Sequence, residues 1–145
     1  MADLVAVYGT LRRGAHLHHR LGTDDGRSVA VGTATIAGDL YEVAASDRDP
    51  NIRASYPCFH PGSAGRVVVE LYDVLDTGLW RDLDELEGFD PDDLTNSEYH
   101  RRLVALHDVA PTVLAATDAW TYVYVRRQPD PTRHIASGDW IDHHG

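Results

Sequence analysis

The chain has 145 residues, 43% hydrophobic and 25% charged, with a formal net charge of −10. That length and balance predict one soluble domain, residues 1–145, with a single core, and the acidic balance excludes nucleic acid as a partner, because phosphate binders need a basic face. No apolar run approaches a membrane span, Met1-Ala2-Asp3 lacks the basic and apolar segments of a secretory signal, and the lone Cys58 allows no internal disulfide, so a cytoplasmic protein is expected.

In chain order, Leu4 to Val7 is a short apolar run and reads as a buried strand. It ends at Tyr8-Gly9-Thr10, and a helical pattern resumes around Ala15. A strand that breaks at Gly and feeds a helix leaves backbone N–H groups unpaired, a concavity suited to a carboxylate or phosphate. Gly9, without a Cβ, would let a ligand approach the backbone. Basic residues pair at Arg12-Arg13, Arg101-Arg102 and Arg126-Arg127; all but Arg12 read as solubilising surface pairs. Ala15 to Leu21 is a short helical candidate carrying His16, His18 and His19. Their spacing does not share one helix face, and no carboxylate or Cys is close, so no metal is expected. His143-His144 reads as exposed tail.

Ser28 to Ala37 reads as a strand bent at Gly32, and Asp39 to Val43 as another. Ala44 to Ser55 reads as a surface loop. Tyr56 to Gly62, bounded by prolines, belongs at an edge or rim, and Cys58 among apolar neighbours reads as an inert packed thiol. Arg66 to Val74 is a strong strand with Glu70 and Tyr72 on one face.

Thr77 to Gly88 is the best helix, with Thr77 as N-cap and Gly88 as terminator. At about 100° per residue, Leu79, Trp80, Leu83 and Leu86 form one stripe, and Glu87 falls inside it. Asp84 and Glu85 turn away. An inward glutamate at a helix C-terminus meets both burial and the negative end of the dipole, which make it a stronger base.

Glu98 to Val109 reads as one strand. Thr112 to Ala116 and Ala119 to Arg126 read as a hairpin turning near Thr117-Asp118. Asp130-Pro131 starts a loop, and Trp140 anchors the tail. Many short strands with few helices predict an α+β fold, a small closed or half-open mixed, mainly antiparallel β-barrel with peripheral helices.

Several of these pieces also resemble one family. Tyr8-Gly9-Thr10-Leu11-Arg12, Tyr56-Pro57, Glu70-Leu71-Tyr72, Leu83-Asp84-Glu85-Leu86-Glu87-Gly88, Tyr99-His100-Arg101 and Ser137-Gly138-Asp139-Trp140 occur in the order of the γ-glutamylcyclotransferase-like family, which includes the γ-glutamylamine cyclotransferases and AIG2-like proteins. The resemblance implies a barrel with flanking helices and a small γ-glutamyl substrate. It assigns substrate binding to Tyr8, Gly9, Thr10, Leu11, Arg12 and Tyr99, and acid/base catalysis to Glu87. The implied reaction releases 5-oxoproline and a free amine without cofactor or metal. Val69 stands where the family has Gly, so two extra methyls would narrow a cavity at that position. The alternatives are a non-catalytic binder of a small acidic ligand or protein partner, a hydrolase using water activated by Glu87, and a metal-dependent enzyme using the histidines.

Overall fold

The computed structural model describes residues 3–43, 56–125 and 130–144. Its strands are β1 (Asp3–Val7), β2 (Ser28–Val43), β3 (Tyr56–Val74), β4 (Tyr99–Ala105), β5 (His107–Ala110), β6 (Asp118–Tyr124) and β7 (His134–Ile135). Two helices, α1 (Gly78–Leu86) and α2 (Trp140–His144), flank them. All seven strands join one sheet in the order β4-β6-β1-β3-β2-β5, with β7 added to β2. The β1–β6 pair is parallel and the others are antiparallel.

This order forces curvature. β4 and β5 end opposite sides of the sheet, yet only Leu106 separates them in the chain. One residue spans about 3.5 Å, so the sheet curls until its edges approach. The result is the expected half-open mixed barrel with a few short helices.

β1 is central because it is apolar on both faces. Leu4, Ala6 and Tyr8 join one buried cluster with Ile36, Phe59, Val67, Val69, Leu71 and Trp140. Val5 and Val7 join a second with Leu11, Leu21, Tyr72, Tyr99 and Tyr122, closed over by Leu79 and Leu83 of α1. A strand buried on both sides reads as a continuous apolar run, as Leu4–Val7 does.

Several expectations are corrected. The predicted strand Glu98–Val109 is two strands on opposite edges, broken at Leu106. The predicted hairpin does not form: Thr112–Leu114 is a 3₁₀ turn, and β6 pairs with β4 from Tyr99↔Tyr124 to Ala105↔Asp118 and with β1 at Val5↔Trp120. Alternation reveals that a segment is a strand but not its partner. Ser28–Ala37 and Asp39–Val43 are one strand, β2, whose register slips at Gly32 and again at Gly38. Only His18–Leu21 of the Ala15–Leu21 candidate is helical, as one 3₁₀ turn, since so few residues cannot meet the cost of helix nucleation. Thr77 makes no cap bond; Asp76 Oδ1 accepts from the Gly78 N–H instead, at 2.9 Å. The predicted loop 44–55 and the pair Arg126-Arg127 lie outside the described residues.

The tail is tied down as expected. Trp140 is buried in the first cluster. Gly138, at φ +65°, accepts a 2.8 Å hydrogen bond from the Val68 N–H, and a Cβ there would overlap the Arg66 carbonyl. Replacing Gly138 by Ala is expected to cost about 2 kcal/mol or more, from left-handed strain plus overlap with backbone; urea unfolding measures it.

Candidate active site

The end of β1 supplies one wall. Pairing with β3 stops at Val7↔Glu70. The chain then turns tightly, with the Arg12 N–H donating to Gly9 O and the Leu17 N–H to Thr10 O, both at 3.0 Å. The N–H groups of Gly9, Thr10 and Leu11 have no protein acceptor among the described residues. Such a group of free donors suits an anion. A Cβ on Gly9 would overlap the Pro57 ring, so packing from β3 by itself requires glycine there.

Arg12 holds this turn from behind. Its Nε donates to Glu70 Oε2 at 3.0 Å and its Nη1 to Asp139 Oδ1 at 2.7 Å. The other Glu70 oxygen accepts from the Arg13 N–H and from the Tyr72 hydroxyl, each at 2.8 Å. The guanidinium is buried and lies outside the cavity lining. Glu70 and Tyr72 share a face as expected, and that face anchors the turn.

The end of α1 supplies the opposing wall. Leu79 and Leu83 are fully buried, which fixes the helix phase. Glu87 follows one turn after Leu83, whose carbonyl accepts its N–H at 3.0 Å. Gly88 then ends the helix at φ +66°. The Glu87 side chain is partly exposed, and it lines the cavity. Among the described residues, its carboxyl makes no hydrogen bond or ion pair. Burial, and then the negative charge of Glu98, raise its pKa from 4.5 to about 8.

Between these walls lies a cavity of about 200 Å³. Tyr8, Gly9, Thr10, Leu11, Glu87 and Tyr99 all line it, so six of the seven residues expected from the sequence meet there, and Arg12 supports them. Sequence reasoning missed Tyr56, Glu98 and Tyr122, which also line it. The wall phenols are held in place: Tyr8 donates to Tyr122 O at 2.7 Å, Tyr99 to Pro57 O at 2.8 Å, and Tyr56 to Glu98. Burial raises the pKa of Tyr8 and Tyr99 well above the usual value, so both stay protonated.

Asp84 does not turn away as expected. It accepts from the Tyr122 hydroxyl at 2.7 Å and faces Arg101 Nη2 at 3.6 Å, while Arg101 stacks on Trp80 at 4.6 Å. These contacts fasten α1 to β4 and β6. Val69 is fully buried in the first cluster, outside the cavity lining, so its methyls do not narrow the site. Cys58 is packed as expected, and burial raises its thiol to about 12. His16 lines the cavity, while His18 Nδ1 lies 2.9 Å from Leu11 O. No group of three His, Cys, Asp or Glu side chains able to hold a metal occurs among the described residues.

Two outcomes follow for stability. A carboxyl with a raised folded pKa costs nothing below about 4.5, where both states are neutral; the cost grows as the unfolded state ionises and is complete above about 8. Glu87→Gln is therefore expected to match the wild-type Tm at pH 4 and exceed it by several degrees at pH 9, checked by calorimetry. Arg12→Ala strands Glu70 and Asp139 and is expected to destabilise by about 3 kcal/mol, measured by denaturant titration.

The chain matches, over residues 5–142, a family described as gamma-glutamyl cyclotransferase, AIG2-like. No curated protein matches the sequence. An uncharacterized protein from Pyrococcus horikoshii shares the fold at a TM-score of 0.64 and 22% identity, over 99% of this chain and 97% of its own. The solution structure of ytfP from Escherichia coli aligns at 0.56 and 26%, over 98% and 99%. An AIG2-like protein from Mus musculus aligns at 0.57 and 19%, over 95% and 87%. No helix among the described residues is long and apolar enough to cross a membrane.

Proposed function

Because the chain belongs to the gamma-glutamyl cyclotransferase, AIG2-like family, we propose that it cyclises a γ-glutamyl amine or γ-glutamyl amino acid. The α-amine of the glutamyl group attacks its own γ-carbonyl, the bond to the leaving nitrogen breaks, and 5-oxoproline and a free amine depart. Nucleophile and electrophile belong to one molecule, so the protein's part is to hold the folded-back conformer and carry protons from the attacking to the leaving nitrogen.

The observation that carries this reading is that Glu87, whose carboxyl has no partner among the described residues, lines the same small cavity as Gly9, Thr10 and Leu11, whose N–H groups have no acceptor among them. The donors receive the substrate α-carboxylate and favour charge on the reacting carbonyl. Glu87 takes one proton from the α-ammonium; once the new C–N bond forms, that nitrogen gives up a second proton, and the leaving nitrogen gains both, one of them from Glu87, and departs as an ammonium. A base with a pKa of about 8 is closely matched to an amine, so the proton moves in either direction at little cost. Tyr8 and Tyr99, protonated and held by main-chain acceptors, shape the pocket.

Screening γ-glutamyl amines and γ-glutamyl amino acids should reveal 5-oxoproline and amine in equal amounts. Free glutamate instead would mark hydrolysis. Glu87→Gln is expected to lower kcat by about 10²–10⁴ while the fold persists; wild-type turnover in that variant would remove Glu87 as the base. Since the carboxylate is the active form, kcat/KM should fall about tenfold per pH unit below about 8, the limb expected for a base of that pKa.

A further inference from the structure

Arg12 holds the turn through its side chain, but the peptide planes that carry the donors are tied down from the segment that follows. In a trans peptide the N–H points opposite the carbonyl, so a hydrogen bond at the carbonyl fixes where the N–H points. The peptides of this turn are trans. The Thr10 carbonyl accepts from the Leu17 N–H at 3.0 Å, and the N–H of that same peptide is the Leu11 donor. The Leu11 carbonyl lies 2.9 Å from His18 Nδ1. Its own peptide carries the Arg12 N–H, which donates to Gly9 O at 3.0 Å. The peptide of Gly9 O in turn carries the Thr10 donor. His18 thus reaches the Thr10 N–H through two peptide planes in series.

His18 is itself held in place. A carbonyl oxygen only accepts, so Nδ1 carries the proton in this contact. The ring packs at a tilt on Tyr72, with centroids 5.9 Å apart. Tyr72 is the residue whose hydroxyl donates to Glu70, the carboxylate that also accepts from the Arg13 N–H. The His18 main chain opens the 3₁₀ turn His18–Leu21, which is rooted by the fully buried Leu21 and by the Ser28 hydroxyl on the Leu21 carbonyl at 2.8 Å. His16 and Leu17 line the cavity and His18 does not. Its side chain therefore acts on the turn and not on a bound molecule.

We infer that His18 is a positioning residue, whose Nδ1–H holds the Leu11 carbonyl and through it aims the Thr10 N–H at the carboxylate of the bound molecule. This rests on the cyclotransferase reading for the placement of that carboxylate. It gives one of the three clustered histidines a part in binding that needs neither a metal nor contact with the substrate.

Nitrogen NMR of the wild type at about pH 9, where an ordinary histidine is neutral, should find the His18 ring proton on Nδ1. A proton on Nε2 instead would overturn the assignment, and this reading needs no variant and no ligand. Calorimetry with 5-oxoproline and 5-oxoprolinamide then reads the carboxylate site, because only the first carries the charge. The wild type should prefer the acid. His18→Phe keeps a ring against Tyr72 and removes the donor, and should cut that preference by about fivefold to tenfold, the effect of one hydrogen bond. His18→Asn puts an amide N–H close to the place of Nδ1 and should restore the preference to within about threefold of the wild type. An unchanged preference in His18→Phe, or equal loss of affinity for acid and amide, would overturn the assignment. So would a His18→Asn protein as weak as His18→Phe, since ring packing and not the donor would then matter. A wild type that binds the acid no better than the amide removes the carboxylate placement and the His18 assignment together. If γ-glutamyl amides yield no 5-oxoproline while the acid preference falls and returns as stated, the cyclisation reading falls and the His18 assignment stands.

Discussion

The bridge from Arg12 to Glu70 and Asp139 is the interaction on which the rest of this structure depends. A turn whose Gly9, Thr10 and Leu11 N–H groups have no acceptor among the described residues has little within itself to hold its shape. Here it is held by one buried guanidinium whose fork reaches β3 on one side and the C-terminal turn on the other. Glu70 completes the anchor by accepting from the Arg13 N–H and the Tyr72 hydroxyl. A planar group with several donors suits this task, because it fixes direction as well as charge. The cationic side chain next to the proposed anion site thus acts on the turn and leaves the cavity to the main chain.

On the other side, the acid is placed by packing. The buried leucines of α1 set the helix phase, and the Asp84, Tyr122 and Arg101 contacts fasten the helix to the sheet. Glu87 is the residue at which the helix stops, so it is carried to the cavity wall with no partner among the described residues. An acid without a partner among the described residues in a poorly solvated place costs stability, and the same environment raises its pKa to about 8, as the proposed proton exchange with an amine requires. Strain of this kind concentrates at functional sites.

β1 lies between β3 and β6, and around its C-terminal end the cavity gathers Tyr122 of the neighbouring β6, Pro57 of β3 and Tyr99 of β4. The edges are drawn toward each other at Leu106, where the chain leaves one edge strand and enters the other within a single residue.

Much of this was legible in the sequence. The all-apolar run of β1 announced a buried strand, and the leucine spacing of α1 aimed Glu87 inward because a helix repeats every 3.6 residues whatever it packs against. The Tyr8–Arg12 turn stood out by its glycine and by the helical pattern that follows. What the sequence left open was decided by pairing and packing between distant segments. Alternation along 98–109 could not show that the strand would break and cross from one edge to the other. The phase that turned Asp84 away could not foresee Arg101 and the Tyr122 hydroxyl waiting for it. Gly9 stood out as a turn glycine, but that Pro57 packs where its Cβ would be was not legible. Arg12 looked like a substrate contact and is a support. Periodicity and turn chemistry are local and survive in one dimension; the partner of a charge or of a strand edge is fixed only when residues 58 or 127 positions apart, as Glu70 and Asp139 are from Arg12, come into contact.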